Sequence, residues 1–239
     1  MVFTTDERAD YEFRIEHSPA YASLIVNLKA NQKIIVEAGA MAAMDQHIKL
    51  QSKLRGGLGR SLMRMVAGES LFLSEFTAQQ RAGQLYISPG VPGDIQHYYL
   101  EPGRALFMQS AGFVACAPTV ELQTKFQGLA KGFFSGESFF LVKAVGQGDI
   151  WFSSYGAIVE IPIEGGYIID TGYIVAFEDT LDYRVEVLGG LSLRGLGVAI
   201  FGGEGLVCRF RGQGRAWIQS RELSNLINFL NPYRPKRND

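Results

Sequence analysis

The sequence predicts an all-β fold: three tandem β-sandwich or barrel modules, followed by one short C-terminal helix. Three observations carry this. The 239 residues hold 28 Gly against 8 Pro, a balance that signals many tight turns between short strands. A glycine–glutamate marker recurs at near-constant spacing. Helical periodicity is confined to one stretch near the C-terminus.

The marker reads Gly68-Glu69-Ser70-Leu71-Phe72-Leu73, then Gly136-Glu137-Ser138-Phe139-Phe140-Leu141, then Gly203-Glu204-Gly205-Leu206-Val207, with the glutamates 68 and 67 residues apart. The segment after each marker repeats as well: Gly146-Gln147-Gly148-Asp149-Ile150-Trp151 matches Gly212-Gln213-Gly214-Arg215-Ala216-Trp217, and Gly83-Gln84-Leu85-Tyr86 is a shorter echo. Two apolar runs joined by a polar, glycine-containing loop predict a hairpin. Between these hairpins lie three links at Ala38-Gly39, Ala111-Gly112 and Thr171-Gly172, whose glycines are expected to share a left-handed backbone. An alternating strand comes after each link, at residues 50–54, 122–126 and 183–187. Residues 11–230 are expected to form a single domain with modules near 11–68, 69–136 and 137–203 and a closing hairpin at 204–220. Helix 221–230 comes next, because Leu223, Leu226, Ile227 and Leu230 keep i, i+3, i+4, i+7 spacing and Pro232 ends it. Residues 231–239 read as a basic tail.

These markers, the links and the glycine-rich segment 54–60, Leu-Arg-Gly-Gly-Leu-Gly-Arg, resemble the widespread prokaryotic family related to the yeast altered-inheritance-of-mitochondria protein. The resemblance covers the chain from about Tyr11 to Leu230. It implies three tandem modules like the subunit of the tryptophan RNA-binding attenuation protein, set about a pseudo-threefold axis. It implies no established enzyme activity and carries over no catalytic residue. Eukaryotic members of that family are implicated in mitochondrial inner-membrane organisation.

Composition narrows the function classes. Lys plus Arg number 23 and Asp plus Glu 24, for a net charge of -1, so there is no bulk attraction for nucleic acid. The first ten residues carry three acids and no apolar core of a signal peptide. The longest charge-free apolar run, residues 105–120, is shorter than the roughly 20 residues a membrane-spanning helix needs. A soluble, cytoplasmic protein is expected. Cys116 and Cys208 sit in apolar runs and read as small buried hydrophobes.

No catalytic or cofactor constellation emerges, and none is expected. His17, His47 and His97 stand apart with no metal-ligand spacing and read as surface or turn residues. Neither a Gly-x-Ser-x-Gly elbow nor a Gly-Lys-Ser/Thr phosphate loop occurs, and the Gly-x-Gly pairs read as turns. Glu69, Glu137 and Glu204 either ring a cation on the pseudo-axis or, as the repetition favours, cap turns at each module's own corner. Arg209, Phe210, Arg211, Arg215 and Trp217 make one modest basic–aromatic cluster.

The surface candidates are the three links that lead into the markers. Arg60, Leu62, Met63 and Arg64 belong to the first, Lys131, Phe133 and Phe134 to the second, Arg194, Leu196, Ile200 and Phe201 to the third. Each is apolar and carries at least one cation, as a self-association face or a membrane-surface contact requires. The alternative is that they plug the open ends of their own modules. The sequence therefore predicts a non-enzymatic binding or scaffold protein without cofactors. Its expected partners are other copies of itself, a membrane surface or another protein; a nucleic-acid or small-ligand binding module is the alternative.

Overall fold

A computed structural model describes residues 8–53, 73–126, 140–188 and 206–234. The first unit runs through β1 (Glu12–Glu16), β2 (Ser23–Leu28), β3 (Lys33–Glu37), β4 (Met41–Met44), β5 (Ile48–Lys53), β6 (Leu73–Ala78) and β7 (Gly83–Ile87). The second comprises β8 (Ile95–Leu100), β9 (Ala105–Gln109), β10 (Phe113–Cys116), β11 (Val120–Phe126), β12 (Phe140–Gly146) and β13 (Gly148–Ser153). The third has longer strands: β14 (Ile158–Asp170), β15 (Ile174–Glu178), β16 (Leu181–Val187) and β17 (Leu206–Gln219). A single α-helix among the described residues, α1 (Leu223–Leu230), closes the chain. The all-β class and the lone C-terminal helix agree with the sequence.

Each unit is a bent ribbon of paired strands rather than a series of hairpins. In the first unit β2 pairs with β7 and β3 with β6, both antiparallel, while β4 and β5 flank β7 and β6 on their other side. The strands after a marker do not turn back on one another. β6 lies in the sheet ordered β5-β6-β3-β10-β13-β8 and β7 in the sheet ordered β1-β2-β7-β4. Likewise β12 belongs to the sheet ordered β11-β12-β9-β15-β17-β14, whereas β13 crosses into the preceding one. The expected closing hairpin at 204–220 is one continuous strand, β17, paired with β14 from Asp170↔Val207 to Ile158↔Gln219. A polar, glycine-containing break between apolar runs marks a corner between sheets as readily as a reversal of direction, and here it marks corners.

Pairing register recurs from unit to unit. Ala43 stands opposite Tyr86, Ala115 opposite Trp151 and Ala176 opposite Trp217, and each pair comes just after a shift in register. The units are joined edge to edge: β3 pairs with β10 (Val36↔Ala115, Ile35↔Cys116) and β9 pairs with β15 (Met108↔Ala176, Phe107↔Phe177). A large core containing Trp151, Phe76, Phe113 and Phe152 spans the first two units and takes in Trp217 of the third, and a second core around Phe177, Phe210, Ile174 and Cys208 lies mainly in the third. Each such side chain, fully withdrawn from water, contributes about 1.5–3 kcal/mol.

The shared left-handed backbone expected of Gly39, Gly112 and Gly172 is found only at Gly39, whose φ is 93°. The other two sit in 3-10 turns, Ser110–Gly112 and Thr171–Tyr173. At Gly112 close approach favours glycine, since a β-carbon would lie 3.1 Å from the Ser153 carbonyl oxygen; at Gly172 it would meet only the Glu222 side chain, which can rotate away. The helix starts two residues later than predicted, and residues 231–233 continue it as a 3-10 turn.

Candidate interaction surface

Every link residue named as a surface candidate (Arg60, Leu62, Met63, Arg64, Lys131, Phe133, Phe134, Arg194, Leu196, Ile200 and Phe201) lies outside the described residues, as do Glu69, Glu137 and Glu204. The ends from which the links depart are described. They are the antiparallel pairs Lys53↔Leu73, Phe126↔Phe140 and Val187↔Leu206, the same place in each of the three ribbons.

The histidines do not converge, and among the described residues no group of three His, Cys, Asp or Glu is arranged to hold a metal. His17 is a turn residue with φ of 62°, and His47 sits beside the Ala82 carbonyl, both as expected. His97 overturns the surface reading. It lies on β8, packed against Phe13 and Trp151, with Nε2 only 2.6 Å from Oδ1 of the fully buried Asp149. The other oxygen of Asp149 accepts the backbone N–H of Asp10 at 2.8 Å. The pair fastens the N-terminal segment to the second unit, because a buried carboxylate must be hydrogen-bonded on every side. Desolvation, reinforced by the neighbouring Asp149, raises the Asp10 carboxyl above its ordinary value. Both cysteines are buried, and burial pushes the Cys208 thiol up to about 12.

Two arginines of the basic–aromatic cluster are paired with carboxylates and remain partly open to water, and Arg211 is exposed. Arg215 lies over the rings of Tyr98 and Trp217 and donates from Nη2 to Oε1 of Glu178 at 2.8 Å. The Tyr98 hydroxyl donates to the same oxygen at 3.2 Å. Burial first, and then Glu178, push this phenol up to about 12. Arg209 is likewise bonded to Glu186 at 2.7 Å.

What the structure does leave open is apolar. The face of α1 that carries Leu223, Ile227 and Leu230 is 42–49% exposed, Phe229 is 66% exposed, and no residue of the helix is buried. Among the described residues, the outer edges of β4, which ends its sheet, and of residues 166–169 of β14, which pair only with β17, are uncharged and meet no further strand. The sequence signals neither edge, although Met41-Ala42-Ala43-Met44 is an uncharged run ending in a turn. Among the described residues no helix is long and apolar enough to cross a membrane.

Fold and surface together define an all-β protein of antiparallel sheets joined edge to edge. The family model for mitochondrial biogenesis AIM24 matches residues 13–221, and the chain belongs to that family. It is 29% identical, over 233 residues, to an uncharacterised protein of Streptococcus pyogenes serotype M6, covering 93% of this chain and 91% of the other. A crystal structure of a protein from Streptococcus pyogenes superposes with a TM-score of 0.78 at 25% identity, covering 94% of this chain and all of that one.

Proposed function

We propose that this AIM24-family member is a non-enzymatic assembly protein of the cytoplasm, which works by associating with further copies of itself and presenting apolar surface to a membrane or protein partner. The observation that carries the reading is the exposed apolar face of α1. An amphipathic helix gains its stability mainly by burying that face, and here Leu223, Ile227 and Leu230 are not buried among the described residues. Arg221 and Arg234 flank the face and suit an anionic surface. The nucleic-acid alternative is weakened by the engagement of Arg209 and Arg215 with Glu186 and Glu178, which occupies the charge that phosphates would need.

Sedimentation of the full chain together with flotation on vesicles containing anionic phospholipid tests the proposal. The expected result is a species heavier than the 26.4 kDa monomer, with Ile227→Asp reducing vesicle recovery several-fold. A protein that stays monomeric and ignores vesicles would remove this function.

A further inference from the structure

The two bare strand edges are the two halves of a junction that the chain makes twice and leaves unmade a third time. At both completed junctions the inner strand of one unit pairs with the next unit's strand carrying the alanine opposite Trp151 or Trp217. Thus β3 takes β10 and β9 takes β15. By the same register the counterpart of β10 and β15 in the first unit is β4, and the counterpart of β3 and β9 in the third unit is residues 166–169 of β14. Within this chain those two do not pair.

Exposure tracks that difference. Val114, Ala115 and Cys116 in β10, and Val175, Ala176 and Phe177 in β15, are at most 2% exposed; their counterparts Ala42, Ala43 and Met44 are exposed, Met44 at 36%. Leu106, Phe107 and Met108 of β9 are buried, whereas of their counterparts Tyr167 and Ile168 are 44% and 42% exposed and Ile169 is buried in the smaller core. The side chains have the chemistry of a covered sheet and the surroundings of an open one.

Most of the other free edges carry a charge or a proline, β8 (Ile95–Leu100) being the exception. β1 carries Glu12, Arg14 and Glu16; β5 carries Lys49; β11 carries Glu121; β16 carries Asp182, Arg184 and Glu186; the first half of β14 carries Glu160 and Pro162. Charges and proline on an edge block pairing with another chain. β4 has none, and Gly166-Tyr167-Ile168-Ile169 has none before Asp170; unlike the uncharged edge of β8, these two are the register counterparts of strands that pair at the completed junctions.

We propose that β4 of one copy pairs antiparallel with residues 166–169 of the next, Ala43 opposite Ile169 and Met44 opposite Ile168, so that copies join head to tail through a continuous sheet. This rests on the assembly reading above and names its contact. Such a contact uses different surfaces on the two partners, so it propagates into a ring or a filament. The occupant is a second copy because the matching edge, in the matching register, is carried by this chain itself.

The test uses two full-length variants, Met44→Lys and Ile168→Lys, each at an exposed position and each checked for native circular dichroism. Either alone is expected to weaken self-association at least tenfold in sedimentation velocity. Mixed, they retain one intact edge each, β14 on the first and β4 on the second, and form a dimer that grows no further. Wild-type assembly that survives both substitutions would overturn the junction while leaving the assembly reading in place. A monomeric wild type would overturn both. Monomeric variants that fail to dimerise on mixing would overturn head-to-tail pairing and leave contact through some other surface.

Discussion

Trp151 and Trp217 hold one register position in two successive ribbons, the first opposite Ala115 and the second opposite Ala176, each just past an irregularity in its ladder. The small residue opposite makes room for the indole. Both rings are buried, Trp151 edge-on to Tyr11 and Phe13, Trp217 edge-on to Tyr98 and Phe152. Their polar atoms differ. Nε1 of Trp217 donates to Oε2 of Glu160 at 3.0 Å, whereas Nε1 of Trp151 is buried without a hydrogen-bond partner in the protein. Phenylalanine removes similar volume at both sites but a hydrogen bond at only one. Trp217→Phe is therefore expected to cost about 1 kcal/mol more than Trp151→Phe in urea denaturation. Equal costs would show that the bond to Glu160 contributes nothing net.

Gly146 turns the corner between β12 and β13. Its φ is 113°, and a β-carbon would stand 2.3 Å from the Thr119 carbonyl oxygen. Gly212 repeats the arrangement in the third unit, with φ of 114° and the Thr180 carbonyl oxygen at 2.9 Å. Gly146→Ala combines backbone strain with a clash against main chain that cannot rotate away, and is expected to cost about 2–4 kcal/mol. Gly90→Ala is the control, since nothing lies within 4 Å of its added carbon; it is expected to change stability by less than about 0.5 kcal/mol. Comparable losses at the two positions would mean that the corner is not held by glycine.

Much of this was legible in the sequence, and the rest was not for identifiable reasons. The spacing of Trp151 and Trp217 pointed to a shared position, and apolar flanks marked Cys116 and Cys208 as buried. The helix was readable from Leu223, Ile227 and Leu230, though not that its face stays open, because periodicity says where a face is and not what covers it. Corner and hairpin share one local signature, so the path through Gly146 needed the long-range pairing of β12 with β9 and of β13 with β8. His97 looked isolated because its partner, Asp149, is 52 residues away. The bare edges of β4 and β14 were hidden for a related reason: an uncharged strand reads as core until its neighbours are known.

Glu178 is the centre of the clamp between the second and third units. It is largely buried and accepts from the backbone N–H of Arg215 at 2.9 Å, from Nη2 of the same residue and from Tyr98. Counting Arg215 Nε, which also donates to it at 3.1 Å, Glu178→Ala leaves four donors short of an acceptor and is expected to cost about 2–3 kcal/mol. Arg215→Ala leaves the carboxylate still bonded to a main-chain N–H and to Tyr98, and the guanidinium it removes is 43% exposed. Its expected cost is smaller, about 1 kcal/mol. A chemical-denaturation series that reverses this order would move the centre of the clamp from the carboxylate to the arginine.

Thiol chemistry gives an independent reading of the two cores. Cys116 and Cys208 are both fully buried, in the larger and the smaller core respectively. The thiolate is the reactive form, and a thiol pushed up to about 12 by burial holds almost none of it near pH 8. The native protein is expected to show no fast thiol towards a disulfide reagent, and two after denaturation in urea. A thiol that reacts within seconds in the native state would mean that the corresponding core opens to solvent.

Glu37, at the end of β3, gives stability a dependence on pH with a definite sign. Burial raises its carboxyl above the ordinary 4.5, so between 4.5 and the folded-state value the unfolded chain has released the proton while the folded chain still binds it. Stability therefore falls as pH rises through that window and stays lower above it. Removing the charge removes the dependence. Glu37→Gln is expected to be more stable than the wild type at pH 7, and the advantage should shrink on acidification and vanish below about pH 4. Urea midpoints of both proteins at intervals from about pH 4 to pH 8 would trace this directly. A difference that is constant across the range would assign the effect to packing, and a wild type more stable than Glu37→Gln at pH 7 would mean that the carboxylate is held by a favourable contact rather than strained by burial.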